Sequence, residues 1–216
     1  METQQIIQSL SYVTWVLLGG LALGSFALTW WLKQTTDATT GFLGFSAILA
    51  AVFGLGWLLV EWGLPEPVDL EIGYLAELNE PRRAAIAVFS LLALVAGVRL
   101  RRGGRALWLG ALAVIAGVAA LALGAVSWGE AEPISVSIFV QLVALSAVTG
   151  GSLAAVVLAH WYLVTPKISE RPLIVTTQLL MLVLVIQLLL CGVWTAAGIP
   201  DFEPFGILTG DNLVFV

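Results

Sequence analysis

Six long apolar runs, separated by short polar turns, make up most of the chain. A membrane crossing needs roughly 20 predominantly apolar residues, and each run is close to that length. The first extends from about Leu10 to Leu32 and closes with Trp30, Trp31 and Lys33. After QTTDATT, the second extends from about Gly41 to Val60 and stops at Glu61 and Trp62. The third covers about Ala84 to Val98, the fourth about Ala106 to Val126, the fifth about Ile134 to Leu163 and the sixth about Leu173 to Thr195. RLRRGGR, the acidic turn around Glu130 and Glu132, and TPKISERP separate the last four. The pattern predicts an all-α integral membrane protein, a single polytopic domain over 1–216 built as a bundle of about six spans.

The longest polar segment, Gly63 to Pro81, carries Glu66, Asp69, Glu71, Glu77 and Glu80. Within it Val68, Ile72, Leu75 and Leu78 recur at an approximately helical period, which predicts a short helix lying on the membrane surface. The tail GIPDFEPFGILTGDNLVFV is interrupted by Pro200, Pro204, Gly206 and Gly210, too often for a seventh span.

Composition strengthens the membrane reading. The 216 residues are 60% hydrophobic and 11% charged, against about 45–50% apolar and about 25% charged in soluble domains. Little remains for a soluble domain. One cysteine, Cys191, allows neither an internal disulfide nor a cysteine-cluster metal site. The N-terminus METQQIIQSL has no Lys or Arg, whereas a secretory signal peptide opens on positive charge, so the first run reads as a retained span.

Charge sets the expected orientation. Lys and Arg collect in cytoplasmic loops. Placing RLRRGGR and TPKISER inside puts both termini outside, and seven of the 9 basic residues inside. Twelve of the 14 acids then face outward, and only Arg82 and Arg83 dissent. The expected location is the cell membrane, with the Arg-rich turns cytoplasmic. Glu61 is expected to snorkel at the outer end of the second span, and Arg82 and Arg83 to pair with the acidic segment beside them.

Small residues four apart let helices approach closely in lipid. The fifth span offers Ala147, Gly151, Ala155 and Ala159, the fourth Ala116, Ala120 and Gly124, and the first Gly20 and Gly24. These rows predict a tight bundle with the fifth span central. Trp30, Trp31, Trp62, Trp128, Trp161 and Tyr162 fall near span ends and read as an interfacial aromatic belt.

The chain's only histidine, His160, lies about one turn from the inner end of the fifth span, next to Trp161 and Tyr162. An ionisable residue within a span is a functional candidate by default. A neutral imidazole can ligate the iron of haem b or hydrogen-bond a quinone carbonyl, with Trp161 and Tyr162 as flat walls. A second axial ligand would come from another chain, a dimer mate or Met181. The alternative is an anchor, since His, Trp and Tyr are all comfortable at headgroup level. Gln141, Ser146, Thr149 and Gln187 are polar at depth. They either bridge helices or line a path for a small solute. Proton- and cation-coupled transporters bury carboxylates at the midplane, and the spans show none.

GxSxG, HExxH, P-loop and GxGxxG patterns are absent, and nothing supports nucleic-acid binding. Three function classes stay open. The first is a non-catalytic subunit of a larger, energy-transducing membrane complex, with His160 near a quinone, haem or pigment. It would associate with other membrane subunits or itself within the lipid bilayer, and its acidic outer face could steer a basic soluble partner. The second is a small oligomeric transporter or channel. The third is a membrane enzyme acting on a lipid, with His160 as base.

Overall fold

The computed structural model describes residues 3–65, 74–129, 134–165 and 169–197. They form six α-helices: α1 (Thr3–Thr35), α2 (Thr40–Trp62), α3 (Asn79–Arg101), α4 (Leu107–Gly129), α5 (Ile134–Val164) and α6 (Arg171–Ala197). Each contains a span long and apolar enough to cross a bilayer. The protein is an all-α, multi-pass membrane bundle. The ends carrying Glu61 and Arg82 are called the acidic end below, and those carrying Lys33 and the α3–α4 turn the basic end.

Only part of the expected surface helix lies within the described residues. There the chain makes a short 3-10 turn, Ala76–Leu78, that runs straight into α3. The third span therefore begins before Ala84. Pro81 fits this earlier start because backbone N–H groups in the first helical turn have no intrahelical acceptor. At the basic end Gly103 adopts φ 75°. Gly104 N–H reaches Arg99 O and Gly103 N–H reaches Leu100 O, at 2.9 Å each. This is a Schellman closure that needs a residue tolerant of left-handed backbone, and glycine supplies it.

Helix α5, expected at the centre, packs against α1, α2, α4 and α6, and α1 likewise packs against α2, α4, α5 and α6. Of the two, α1 is the more deeply buried, with 56% of its most apolar window buried against 39%. Its contact with α4 follows a heptad of glycines. Gly110, Gly117 and Gly124 take Trp30, Leu23 and Trp15 in turn, so each large side chain of α1 fills a notch in α4. The spacing of seven matches the antiparallel seam of a left-handed helix pair. With α5 the approach is closer. A Cβ on Gly24 would lie 2.7 Å from the Ser146 carbonyl carbon and 3.0 Å from Gly150 Cα.

Leu142, Ser146, Gly150, Ala154 and Leu158 form a buried row on α5, in which Ser146 and Gly150 lie against Gly24 of α1. The expected row of Ala147, Gly151, Ala155 and Ala159 is displaced by one residue. Gly151 instead meets Leu180 of α6, and Ala159 is exposed. One position is about 100° around a helix, and in a sequence so rich in small residues the four-residue spacing alone does not choose between adjacent rows. In the fourth span Ala120 and Gly124 are buried as expected, while Ala116 is only half-buried.

Helix α6 stands apart. Only 6% of its apolar window is buried, against 39–56% for the other five. It leans on α5 and touches α1 slightly.

Candidate functional site

Three regions hold the unusual chemistry, and the first joins two charges that the sequence places at separate span ends. It is a buried ion pair at the acidic end. Glu61 occupies the last turn of α2, one turn beyond Trp57 on the inward row Gly54, Trp57, Glu61. Arg82 heads the inward row of α3 that continues through Ile86, Phe89, Ala93, Ala96 and Leu100. Helical periodicity alone therefore aims both charges at the core. Arg82 Nη2 lies 2.8 Å from Glu61 Oε1, with side-chain exposures of 1% and 0%. Arg82 Nε also donates to Oε1 at 3.0 Å and Oε2 at 2.9 Å. Trp15 Nε1 adds a third donor group, 2.6 Å from Oε2.

The pair sits inside an aromatic wall. Arg82 Cζ lies 5.1 Å from the centroid of Trp128, within cation–π range. Trp15 meets Trp57 at 5.0 Å and Trp128 at 4.8 Å, both edge-on, and Tyr12 meets Trp128 at 5.5 Å. Edge-to-face geometry is what the ring quadrupole favours. Arg82 Nη2 also donates to Asn79 Oδ1 at 3.0 Å, which accepts from Tyr74 as well at 2.8 Å. The acidic loop is tied down here. Tyr12 donates to Pro65 O at 3.0 Å, while Ser127 Oγ and Leu75 N–H make reciprocal 3.1 Å bonds to Leu75 O and Ser127 O.

Three expectations are corrected at this cluster. Glu61 does not snorkel outward, because a guanidinium and an indole N–H satisfy it inside. Arg82 pairs with this carboxylate rather than with the acidic loop, whereas Arg83 bonds Glu80 at 2.6 Å. Trp128 is not a belt residue, being 1% exposed beneath Arg82. The signal was in the charge pattern. Arg82 was one of two basic residues on the wrong side of an otherwise consistent topology, and pairing removes its charge from that count. A neutral, enclosed pair of this kind locks helix ends together. Glu66, Asp69, Glu71, Glu130, Glu132, Asp201, Glu203 and Asp211 of the acidic surface lie outside the described residues.

His160 is exposed on α5, on a stripe shared with Val156 and Leu163. Trp161 turns the other way, packing on Gly41 and facing Phe42 and Phe45 at centroid distances of 6.5 and 6.1 Å. Tyr162 donates to Ser169 O, closing the α5–α6 turn. The three residues are therefore not one wall of a common pocket. Met181 is not a partner for His160 either. Gly151 meets Leu180, so Met181 is level with a point nine residues from His160, about 14 Å along the axis.

Ser146 and Thr149 donate to the α5 carbonyls of Leu142 at 2.7 Å and Leu145 at 2.8 Å, and both lie against α1. Gln141 and Gln187 are half-buried, and Gln187 Oε1 has no hydrogen-bond partner among the described residues. The third region is an apolar cleft of about 340 Å³ between α1, α4, α5 and α6, lined by residues that include Leu23, Leu28, Trp31, Val118, Ala147 and Val183. Of the four candidate path residues, only Ser146 borders it. No three or more His, Cys, Asp or Glu side chains cluster as a metal site among the described residues.

Comparison with protein-family models, curated proteins and solved structures finds no match. Fold and composition together define the class: a polytopic α-helical membrane protein.

Proposed function

We propose that the protein is a non-catalytic subunit of a larger membrane complex, seated in the cell membrane with its basic end in the cytoplasm. The observation that carries this reading is α6. Five helices bury between about two-fifths and three-fifths of their apolar windows, and the sixth buries 6%. That helix also exposes the Gln178 amide about 10 Å in from Arg171 along the axis. An amide in a span is best satisfied by a polar group on another helix, and a neighbouring subunit supplies both that group and the missing packing.

His160 supports the energy-transducing form of this reading. Its ring faces away from the bundle near the basic end, where a quinone headgroup, a haem or a pigment held between subunits would meet it. Transport gains less support. Ser146 and Thr149 spend their hydroxyl protons on their own helix, and Ser146 alone of the four polar candidates borders the apolar cleft.

The test is purification from the native membrane in mild detergent, with identification of every co-purifying chain and a reduced-minus-oxidised visible spectrum. The expected result is a set of partner chains that cross-link through Cys191, which is exposed on α6. A redox or pigment signal lost in His160→Ala is expected with it. A stable, active monomer that purifies alone overturns the proposal.

A further inference from the structure

We infer that Trp15 is a redox-active tryptophan, the position at which the bundle gives one electron to a high-potential one-electron acceptor, with Glu61 as the base that takes its indole proton. The acceptor class is an oxidised metal centre or a photo-oxidised pigment reaching the acidic end. The feature that sets Trp15 apart is the group its N–H meets. It donates to a carboxylate, Nε1 to Glu61 Oε2 at 2.6 Å. Trp30, by contrast, donates to the Leu107 carbonyl at 3.1 Å. An indole N–H is a very weak acid, and it becomes a far stronger one once the ring has lost an electron. A carboxylate can take that proton, and an amide carbonyl cannot. The short, charge-assisted hydrogen bond aligns the transfer before the electron leaves.

Three buried indoles touch at this end, and their surroundings rank them. Trp15 sits between Trp57 at 5.0 Å and Trp128 at 4.8 Å, centroid to centroid. Positive charge on a ring is favoured by a nearby anion and opposed by a nearby cation. Trp15 has the Glu61 carboxylate at its nitrogen edge. Trp128 has the Arg82 guanidinium over its face, with Cζ 5.1 Å from the centroid. Trp57 Nε1 is buried and finds no hydrogen-bond partner among the described residues. A hole that reaches any of the three therefore settles on Trp15. The aromatic contact continues outward from Trp128 to Tyr12 at 5.5 Å, and Tyr12 bonds Pro65 O beyond the end of α2. Two rings thus lie between Trp15 and an acceptor docked at the acidic end.

The step balances as follows. One electron passes from the Trp15 ring to the acceptor, which is reduced by one electron. The Nε1 proton moves to Glu61 Oε2, which becomes a neutral carboxyl. Trp15 is left as a neutral indolyl radical. The remaining positive charge rests on Arg82, still held over Trp128 and bonded to Asn79 Oδ1. Return of one electron to the ring brings the proton back. Trp15 is fully buried, so the radical is kept from water. The site shares no residue with α6 or with the α5 stripe around His160, and its ranking of the three indoles stands whether or not the protein has partner subunits.

The test is flash photo-oxidation of the full chain in mild detergent by a ruthenium polypyridyl complex, with a cobalt ammine as quencher. Transient absorbance and electron paramagnetic resonance distinguish a neutral indolyl radical from an indole radical cation. The expected result is a neutral tryptophan radical that is lost in Trp15→Phe and kept in Trp62→Phe and Trp108→Phe, two changes at exposed indoles. Glu61→Leu with Arg82→Leu removes the base together with its counter-charge, which spares the fold an unpaired buried ion. That double variant is expected to give the radical cation instead. If Trp15→Phe fails to fold, the double variant carries the test. The inference is overturned if the flash leaves no tryptophan radical, if the parent's radical keeps its proton, or if Trp15→Phe gives the parent signal. It is equally overturned if either surface change removes the signal, or if the double variant still forms the neutral radical.

Discussion

Arg82 lies across the carboxylate of Glu61, Nη2 to Oε1 at 2.8 Å, with both side chains shut off from the surroundings. The contact joins the end of α2 to the start of α3 across 21 residues of sequence. The sign of its energetic effect depends on what is removed. Replacing one member of such a pair leaves an uncompensated buried charge at about 3–5 kcal/mol, whereas replacing both with apolar groups of similar volume is often neutral.

Glu61→Leu alone and Arg82→Leu alone are therefore expected to lower stability by several kcal/mol each, and the double variant to recover most of the loss. Thermal unfolding in detergent, followed by tryptophan fluorescence, checks this. Losses that simply add in the double variant would show that the two side chains act independently.

Trp15 and Trp128 hold the pair in different ways, so their variants should differ in size. Trp15→Phe keeps a ring but removes a hydrogen bond to a charged group, a loss of about 1.5–3 kcal/mol. Trp128→Leu removes the π face over Arg82 and three-way ring packing, and the cation–π part alone is about 2 kcal/mol when desolvated. Each is measured against the parent, and each again in the Glu61→Leu/Arg82→Leu background. The Trp15→Phe penalty should largely vanish there, because its acceptor is gone.

Two glycines make a matched pair for the helix seams. A Cβ at Gly24 meets the Ser146 backbone, while a Cβ at Gly192 meets nothing within 4 Å. Gly24→Ala is expected to destabilise by about 1–3 kcal/mol, since rigid backbone rather than a side chain must yield. Gly192→Ala is expected to be neutral or to stabilise by up to about 1 kcal/mol. Equal effects from the two changes would mean that the α1–α5 crossing is looser than described.

The α3–α4 turn gives a local test. Gly103→Ala places a Cβ on a left-handed residue, at about 1–2 kcal/mol, with no side-chain clash because nothing lies within 4 Å. Gly103→Asn should cost less, because asparagine tolerates that region better than alanine. Comparing the two by thermal unfolding separates backbone strain from packing.

The chain by itself determined the number of spans, their approximate limits, and the absence of recognisable catalytic motifs. Those properties depend on run length and local polarity, and both are written in consecutive residues. It also placed Gly20 and Gly24 correctly on a packed face, because a small residue in a long span has few other uses. It did not determine which of two adjacent rows on α5 meets α1, since Ala147–Gly151 and Ser146–Gly150 are equally small. Nor did it reveal that Glu61 and Arg82 neutralise each other, because partner choice is a distance in space. Seen singly, each was a charge at a span end, where water or headgroups would serve. Only tertiary structure could close the indole of Trp15 and the ring of Trp128 around them and turn two surface-like charges into part of the core. The same holds for His160, Trp161 and Tyr162, adjacent in sequence but turned by 100° per residue toward different surroundings. The cleft, too, is lined by residues of α1, α4, α5 and α6 together, which no single helix records.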